Sequence, residues 1–146
     1  MENKSHPAVV IPKSWSISAT RMRKDIFKKP SQTTALVHVN WDGDPPKAEM
    51  TLTLDLTIRE KNEARPIELA FVSLEVICDI KGIDPNNATA IELPTEVMVR
   101  IGQKASDMAF GIVLAKSVGT ALQGLDYPEV PLHVFLPPPF PQFMMN

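Results

Sequence analysis

The chain has 146 residues, a formal net charge of −2 and 44% hydrophobic residues. That length and apolar content fit one domain with its own core, and they exclude a chain that is disordered throughout. The near-neutral charge excludes a general electrostatic attraction to nucleic acid or to anionic membranes, so we expect neither as a partner.

The N-terminus and the cysteine content bear on location. Residues 1–13 contain a short apolar run between Pro7 and Pro12, and no apolar stretch reaches the roughly 18 residues that span a bilayer. Cys78 is the one cysteine of the sequence, so no internal disulfide can form, which suits a reducing compartment. We therefore expect a cytoplasmic protein with a flexible tail at 1–13 and a single domain at 14–146.

Two short strands are predicted next along the chain. Residues 14–27 begin with apolar and polar residues in alternation, with Trp15, Ile17 and Ala19 on one face, and then become basic. A basic run of this kind is typical of a solvated or edge strand, and a docking patch for an acidic partner is the alternative. Residues 33–41 are rich in β-branched side chains, which favour extended backbone, and a turn with two prolines follows.

Residues 47–59 carry the clearest pattern in the sequence. Apolar and polar residues alternate there without a slip, a period of two that buries one face of a strand and leaves the other in water. A solvent-exposed face favours an antiparallel sheet over a parallel sheet, whose two faces are usually both covered by helices. The apolar residues of this strand are Ala48, Met50, Leu52, Leu54, Leu56 and Ile58.

Residues 67–80 are predicted to pair with this strand as a hairpin, because only a short charged segment separates the two. One face of the new strand is apolar from Ala70 to Ile80. The opposite face carries Leu69 and Phe71 among polar residues. Two interpretations stay open, namely that another subunit or a loop covers these side chains, or that they form an apolar binding surface.

A long helix is predicted to begin after Pro94, since proline suits the first helical turn, and Gly119 suits its C-terminal end. Gly102 and Gly111 lie inside this helix, where each costs roughly 1 kcal/mol relative to alanine, so we expect them to allow close approach of a partner helix. Apolar residues recur at steps of three and four along one stripe. The stripe consists of Met98, Ile101, Ala105, Met108, Ile112 and Ala115, and Val97 and Ala109 widen it.

Residues 120–146 are apolar and rich in proline, which excludes them from a sheet interior and predicts an extended segment lying across the domain. Taken together, the patterns predict an α+β fold. We expect a four-stranded antiparallel sheet with one long helix packed on one face and an extended Pro-rich C-terminal segment.

Patterns for catalysis and metal binding are nearly absent from the sequence. His6, His38 and His133 are far apart and are not spaced as ligand pairs, and Cys78 falls on an apolar strand face, where a structural thiol is expected. No glycine-rich loop joins a strand to a helix, and basic and aromatic residues do not interleave as a nucleic-acid platform requires. We expect no enzyme, no metal site and no cofactor.

The order of the predicted elements resembles the SecB family of export chaperones over roughly residues 15–140. The resemblance is clearest from the alternating strand through the hairpin to residues 76–83, where the strand closes on a glycine. A helix then follows a Leu-Pro step at residues 93–94. Gly119 comes after the helix, and apolar and proline residues lead to a Pro-x-x-Phe-like ending at residues 137–140.

The resemblance implies an ATP-independent holdase that binds unfolded or preprotein polypeptides in apolar grooves and assembles as a homo-oligomer, a dimer or a tetramer. The groove residues it implies are Trp41, Leu69, Phe71, Leu125, Tyr127, Val130, Leu132 and Phe135. The residues expected at the oligomer interface are Gly102, Gly111 and Met108.

The sequence departs from the family pattern at the sheet position where an acidic residue helps family members dock on the translocase motor, because Phe71 stands there. The chain also stops at Asn146, without the C-terminal helix and acidic tail of typical members. Docking on the translocase motor and service to one dedicated client, such as an antitoxin, are therefore alternatives. The competing hypothesis is a structural or adaptor protein with the same fold that binds one folded partner.

Overall fold

The computed structural model of the protein describes residues 4–5, 9–23, 32–60, 67–82, 90–123 and 130–136. Within these ranges the chain forms strands, one long α-helix and two short 3-10 helices. The strands are β1 (Lys4–Ser5), β2 (Val9–Met22), β3 (Thr33–Asp44), β4 (Glu49–Glu60), β5 (Ile67–Lys81) and β6 (Ala90–Ile91). The α-helix is α1 (Thr95–Lys116), and the 3-10 helices span Pro45–Lys47 and Leu132–Phe135.

The main sheet has four strands in the order β2-β5-β4-β3, and each neighbouring pair is antiparallel. Helix α1 packs on one face of this sheet, against β4 and β5. This arrangement confirms the predicted α+β fold and the predicted hairpin. Of the predicted C-terminal segment, residues 130–136 are described, while 137–146 lie outside the described residues.

The core lies between α1 and the sheet face that α1 covers. On β4, every second residue from Met50 to Ile58 is buried, and these residues lie opposite the buried series from Ala70 to Cys78 on β5. The alternate residues of β4, beginning with Thr51, belong to the other sheet face, which we call the open face. Successive strand residues point to opposite faces, so the predicted alternation is confirmed.

The buried stripe of α1 differs from the predicted one at its C-terminal end. Ala109, which widens the predicted stripe, is buried as expected, but so is Val113, which the stripe left out, whereas Met108 and Ala115 of the stripe are exposed. Both steps of three and steps of four keep a residue on one side of a helix. The last turns of α1 are apolar on both sides, so the sequence period alone could not identify the side that faces the sheet.

Strand β2 begins at Val9, inside the region predicted to be a flexible tail at 1–13, because the apolar residues there pair with β5. The register of this pairing shifts twice, once at Lys13 and once at Ser18. The second shift places Ala19 opposite Ser73 on the open face, and not on the face of Trp15 as predicted. A bulge inserts one residue and therefore reverses the alternation beyond it.

Candidate functional site

Trp41 and Phe135 are in contact although they lie 94 positions apart in the chain. Trp41 lies opposite Leu52 in the register of β3 and β4, so it belongs to the helix-covered face of the sheet. Phe135 ends the 3-10 helix Leu132–Phe135, which contacts both α1 and β3. The indole Nε1–H of Trp41 donates a hydrogen bond of 2.8 Å to the main-chain carbonyl of Phe135.

Gly102 forms a notch in α1 that receives the Phe135 side chain. A Cβ atom at position 102 would lie 2.6 Å from Cδ1, 2.7 Å from Cγ and 2.8 Å from Cβ of Phe135. Real Cβ atoms essentially never come this close to other heavy atoms, so only glycine fits here. The close neighbour of Gly102 within the chain is therefore the Phe135 side chain, and the predicted approach of another backbone at this glycine stays a prediction.

The predicted groove residues Leu69 and Phe71 are separated by the structure. Leu69 is the extra residue at a register shift between β4 and β5, and it is buried in the core. Phe71 lies on the open face, where the guanidinium of Arg21 sits 4.1 Å from its ring centroid. Arg21 also bonds to Glu68 at 3.0 Å and thereby lowers the pKa of that carboxyl.

Two further predicted groove residues, Val130 and Leu132, lie a few positions before Phe135 in the chain. Val130 packs partly against the core, and Leu132 is 52% exposed. Leu125 and Tyr127 lie outside the described residues. The structure thus brings Trp41, Val130, Leu132 and Phe135 to the helix side of the sheet, and it leaves Phe71 on the opposite side.

The C-terminal half of α1 and the turn after it expose a patch of apolar and small side chains, which we call the helix patch. Met108 and Gly111, two of the residues expected at an oligomer interface, belong to it, and nothing within 4 Å would meet a Cβ at Gly111. Leu114 and Val118 continue the same side, and Val118 is 67% exposed. The N-terminal half of this side is polar instead. Its residues are Glu96, Arg100, Gln103, Lys104 and Asp107.

The groups of the described residues that could carry chemistry are few in kind. No group of three or more His, Cys, Asp or Glu side chains in those residues could hold a metal ion. Cys78 is buried in the core, and this burial raises the pKa of its thiol to about 11, so the thiol stays protonated at neutral pH. Among the helices of the described ranges, none is long and apolar enough to cross a membrane.

Sequence reasoning missed two parts of this site. It did not connect Gly102 with Phe135, because a glycine within a helix indicates a close neighbour without saying which one. It also missed Leu114 and Val118, because the predicted stripe was placed on the wrong side of the last helical turns. Val118 follows the helix end at Lys116, where helical periodicity no longer applies.

The chain was compared with protein families, with curated proteins and with solved structures. No family model matches it, and no curated protein matches it. Among solved structures it is similar to a SecB-like chaperone of Mycobacterium tuberculosis, in complex with a ChAD peptide from the HigA1 antitoxin. The two chains are 14% identical, with a TM-score of 0.57 over 84% of this chain and 91% of that one.

At this identity the similarity shows the fold. The protein has a SecB-like fold, in agreement with the resemblance that its strand, hairpin and helix order indicated.

Proposed function

We propose that the protein is an ATP-independent chaperone that holds non-native polypeptides on apolar surface, either for export or for one dedicated client. The observation that carries the proposal is the SecB-like arrangement of sheet and helix, which is the fold of a chaperone solved with a bound peptide. Holding an unfolded chain needs accessible apolar surface and adaptable contacts, and it needs no catalytic group.

We place the polypeptide-binding region on the helix side of the sheet, around Trp41, Val130 and Leu132. Leu132 is the most exposed of the described groove residues, so it can reach a client without any rearrangement. Leu69 and Phe135 are each 1% exposed and are covered by the chain itself. A reduced cytoplasmic setting suits this proposal, because the buried thiol of Cys78 forms no disulfide within the chain.

The test is suppression of aggregation. The purified protein is mixed with a reduced, unfolding model substrate, without nucleotide, and light scattering is followed. We expect wild-type protein to suppress scattering, Leu132→Ser to weaken suppression, and Phe71→Ser, on the other sheet face, to leave it unchanged. Unhindered aggregation with the wild-type protein would show that a general holdase function is wrong.

A dedicated client is the alternative within the same fold, and the neighbouring structure favours it because its bound peptide comes from one antitoxin. On this hypothesis the protein is an adaptor that binds one partner and ignores other unfolded chains. It predicts that model substrates aggregate unhindered while a single protein is recovered in stoichiometric amount by pull-down from the native host.

We also propose that a second copy of the chain covers the helix patch. Apolar surface at Leu114 and Val118 gains free energy on burial, and Gly111 lets another backbone come close. The expected mass from light-scattering chromatography is that of a dimer or tetramer. Leu114→Glu should reduce this mass, and Gln103→Glu on the polar half of α1 is the matched control. A monomeric wild-type protein would refute the proposal.

A further inference from the structure

Residues 130–136, which we call the strap, lie over the junction of α1 and β3. The strap is closed on itself by local hydrogen bonds, from Val134 N–H to the Pro131 carbonyl and from Leu136 N–H to the His133 carbonyl, each 3.2 Å long. It contributes no strand to the main sheet, whose order is β2-β5-β4-β3. The strap could therefore leave its place while the sheet ladder stays intact.

Two contacts fix the position of the strap. The Phe135 side chain fills the notch at Gly102, and the Trp41 indole donates its hydrogen bond to the Phe135 main-chain carbonyl. Neither contact depends on a feature that is peculiar to the strap. An aromatic ring and the carbonyl of the same residue are present in any polypeptide that contains an aromatic residue, so the site is suited to recognise that class of residue.

The surroundings of the notch would allow a client polypeptide to replace the strap there. Before Phe135 in the strap, Val130 and Val134 pack partly against the core, while Pro131, Leu132 and His133 are exposed. Phe135 is thus the one fully buried residue of the strap, and apolar surface is already exposed near it at Leu132. An incoming chain can contact Leu132 first and then compete for the notch.

We propose that the notch between Gly102 and Trp41 is a binding site for an aromatic residue of a client polypeptide, and that Phe135 occupies it in cis until a client displaces the strap. This inference rests on the proposed holdase function and adds to it a means of control, the occupation of the site by a segment of the same chain. A client binds only molecules whose strap is open, so the smaller the fraction of open molecules, the lower the apparent affinity for the client. The closed strap also keeps an apolar site covered when no client is present.

The test uses the full chain and two synthetic peptides. One has the strap sequence, Val-Pro-Leu-His-Val-Phe-Leu, and the other carries alanine in place of the phenylalanine. Fluorescence anisotropy measures their binding to wild-type protein, to Phe135→Ala and to Gly102→Ala. We expect Phe135→Ala to bind the phenylalanine peptide at least about tenfold more tightly than wild type does, because its own strap no longer competes.

The two protein variants separate an opened site from a blocked one. Gly102→Ala also releases the strap, but its added Cβ occupies the place of the aromatic ring, so this variant should bind the peptide no better than wild type. The alanine peptide should bind weakly to all three proteins. Equal affinity of Phe135→Ala and wild type for the phenylalanine peptide would overturn the proposal, and so would equal binding of the two peptides to Phe135→Ala.

A second measurement does not depend on the folding of any variant. Hydrogen exchange of the Val134 and Leu136 amides is followed in the wild-type protein with and without an unfolded model substrate. We expect faster exchange in the presence of substrate, because both amides are bonded within a single short 3-10 helix, and so short a helix is not stable once it leaves the surface of the domain. Unchanged exchange while substrate is bound would refute displacement of the strap.

Failure of this proposal can be told apart from failure of the proposed function. If wild-type protein suppresses aggregation but Phe135→Ala gains no peptide affinity, the holdase function stands and the strap is only a structural segment. If neither protein suppresses aggregation, the general holdase function itself is refuted.

Discussion

Replacing Gly102 with alanine should destabilise the protein, although alanine is the better residue for a helix. Alanine in a helix interior is favoured over glycine by about 1 kcal/mol. Against this, the new Cβ would lie 2.6–2.8 Å from three atoms of Phe135. Since one of these atoms is the Phe135 Cβ, next to the main chain, rotating the ring does not relieve the overlap.

The strap must then shift or leave. Loss of a buried phenylalanine costs about 3–5 kcal/mol, so the net destabilisation expected for Gly102→Ala is about 2–4 kcal/mol. For a chain of this size that lowers Tm by roughly 5–15 °C. Urea unfolding followed by circular dichroism gives the free energy of unfolding, and a thermal melt gives Tm.

Gly111→Ala is the matched control, because it makes the same substitution in the same helix where nothing within 4 Å would meet the new Cβ. It should stabilise the protein by up to about 1 kcal/mol. In a Phe135→Ala background the penalty of Gly102→Ala should shrink, because two of the three close atoms are gone. If Gly102→Ala is as stable as Gly111→Ala, the argument for the notch is refuted.

Three further predictions concern the core and the site. Trp41→Phe leaves the buried carbonyl of Phe135 without its indole donor. It should therefore lower the free energy of unfolding, measured in urea, by about 1–3 kcal/mol. No change would show that the hydrogen bond is dispensable. Leu54→Ala, at a fully buried position of the central strand β4, should lower the free energy of unfolding by about 2–5 kcal/mol. Leu36→Ala, at an exposed position of β3, should change it by no more than about 0.5 kcal/mol. Similar losses for both variants would contradict the assigned faces. The folded-state pKa of Cys78 is about 11, above its ordinary value of 9.0. The contribution of this thiol to the free energy of unfolding is therefore fully present below pH 9 and is lost as the pH rises towards 11. A free energy of unfolding that stays flat across that window, or rapid thiol labelling of the native protein, would contradict the burial of Cys78.

The structure gathers some of the predicted groove residues on one side of the sheet and separates others, while their role in binding stays a prediction. Trp41, Val130, Leu132 and Phe135 were all expected at the groove, and the structure gathers them on the helix side of the sheet. Phe71 was expected beside them, yet it lies on the open face. Strand alternation placed Phe71 correctly on its strand, but it carries no information on where the C-terminal segment lies.

The order of the main strands and the position of the helix were predictable from the sequence. The unbroken alternation of residues 47–59 identified the buried and open faces, because the strand period of two is a local property of the backbone. Pro94 identified the start of α1 for the same kind of local reason. Tertiary structure alone decided that Phe135 would fill the notch at Gly102, because contacts between segments far apart in the chain depend on the packing of every element between them. The two bulges of β2 were hidden from the sequence as well, since a register shift is a property of two paired strands and not of one.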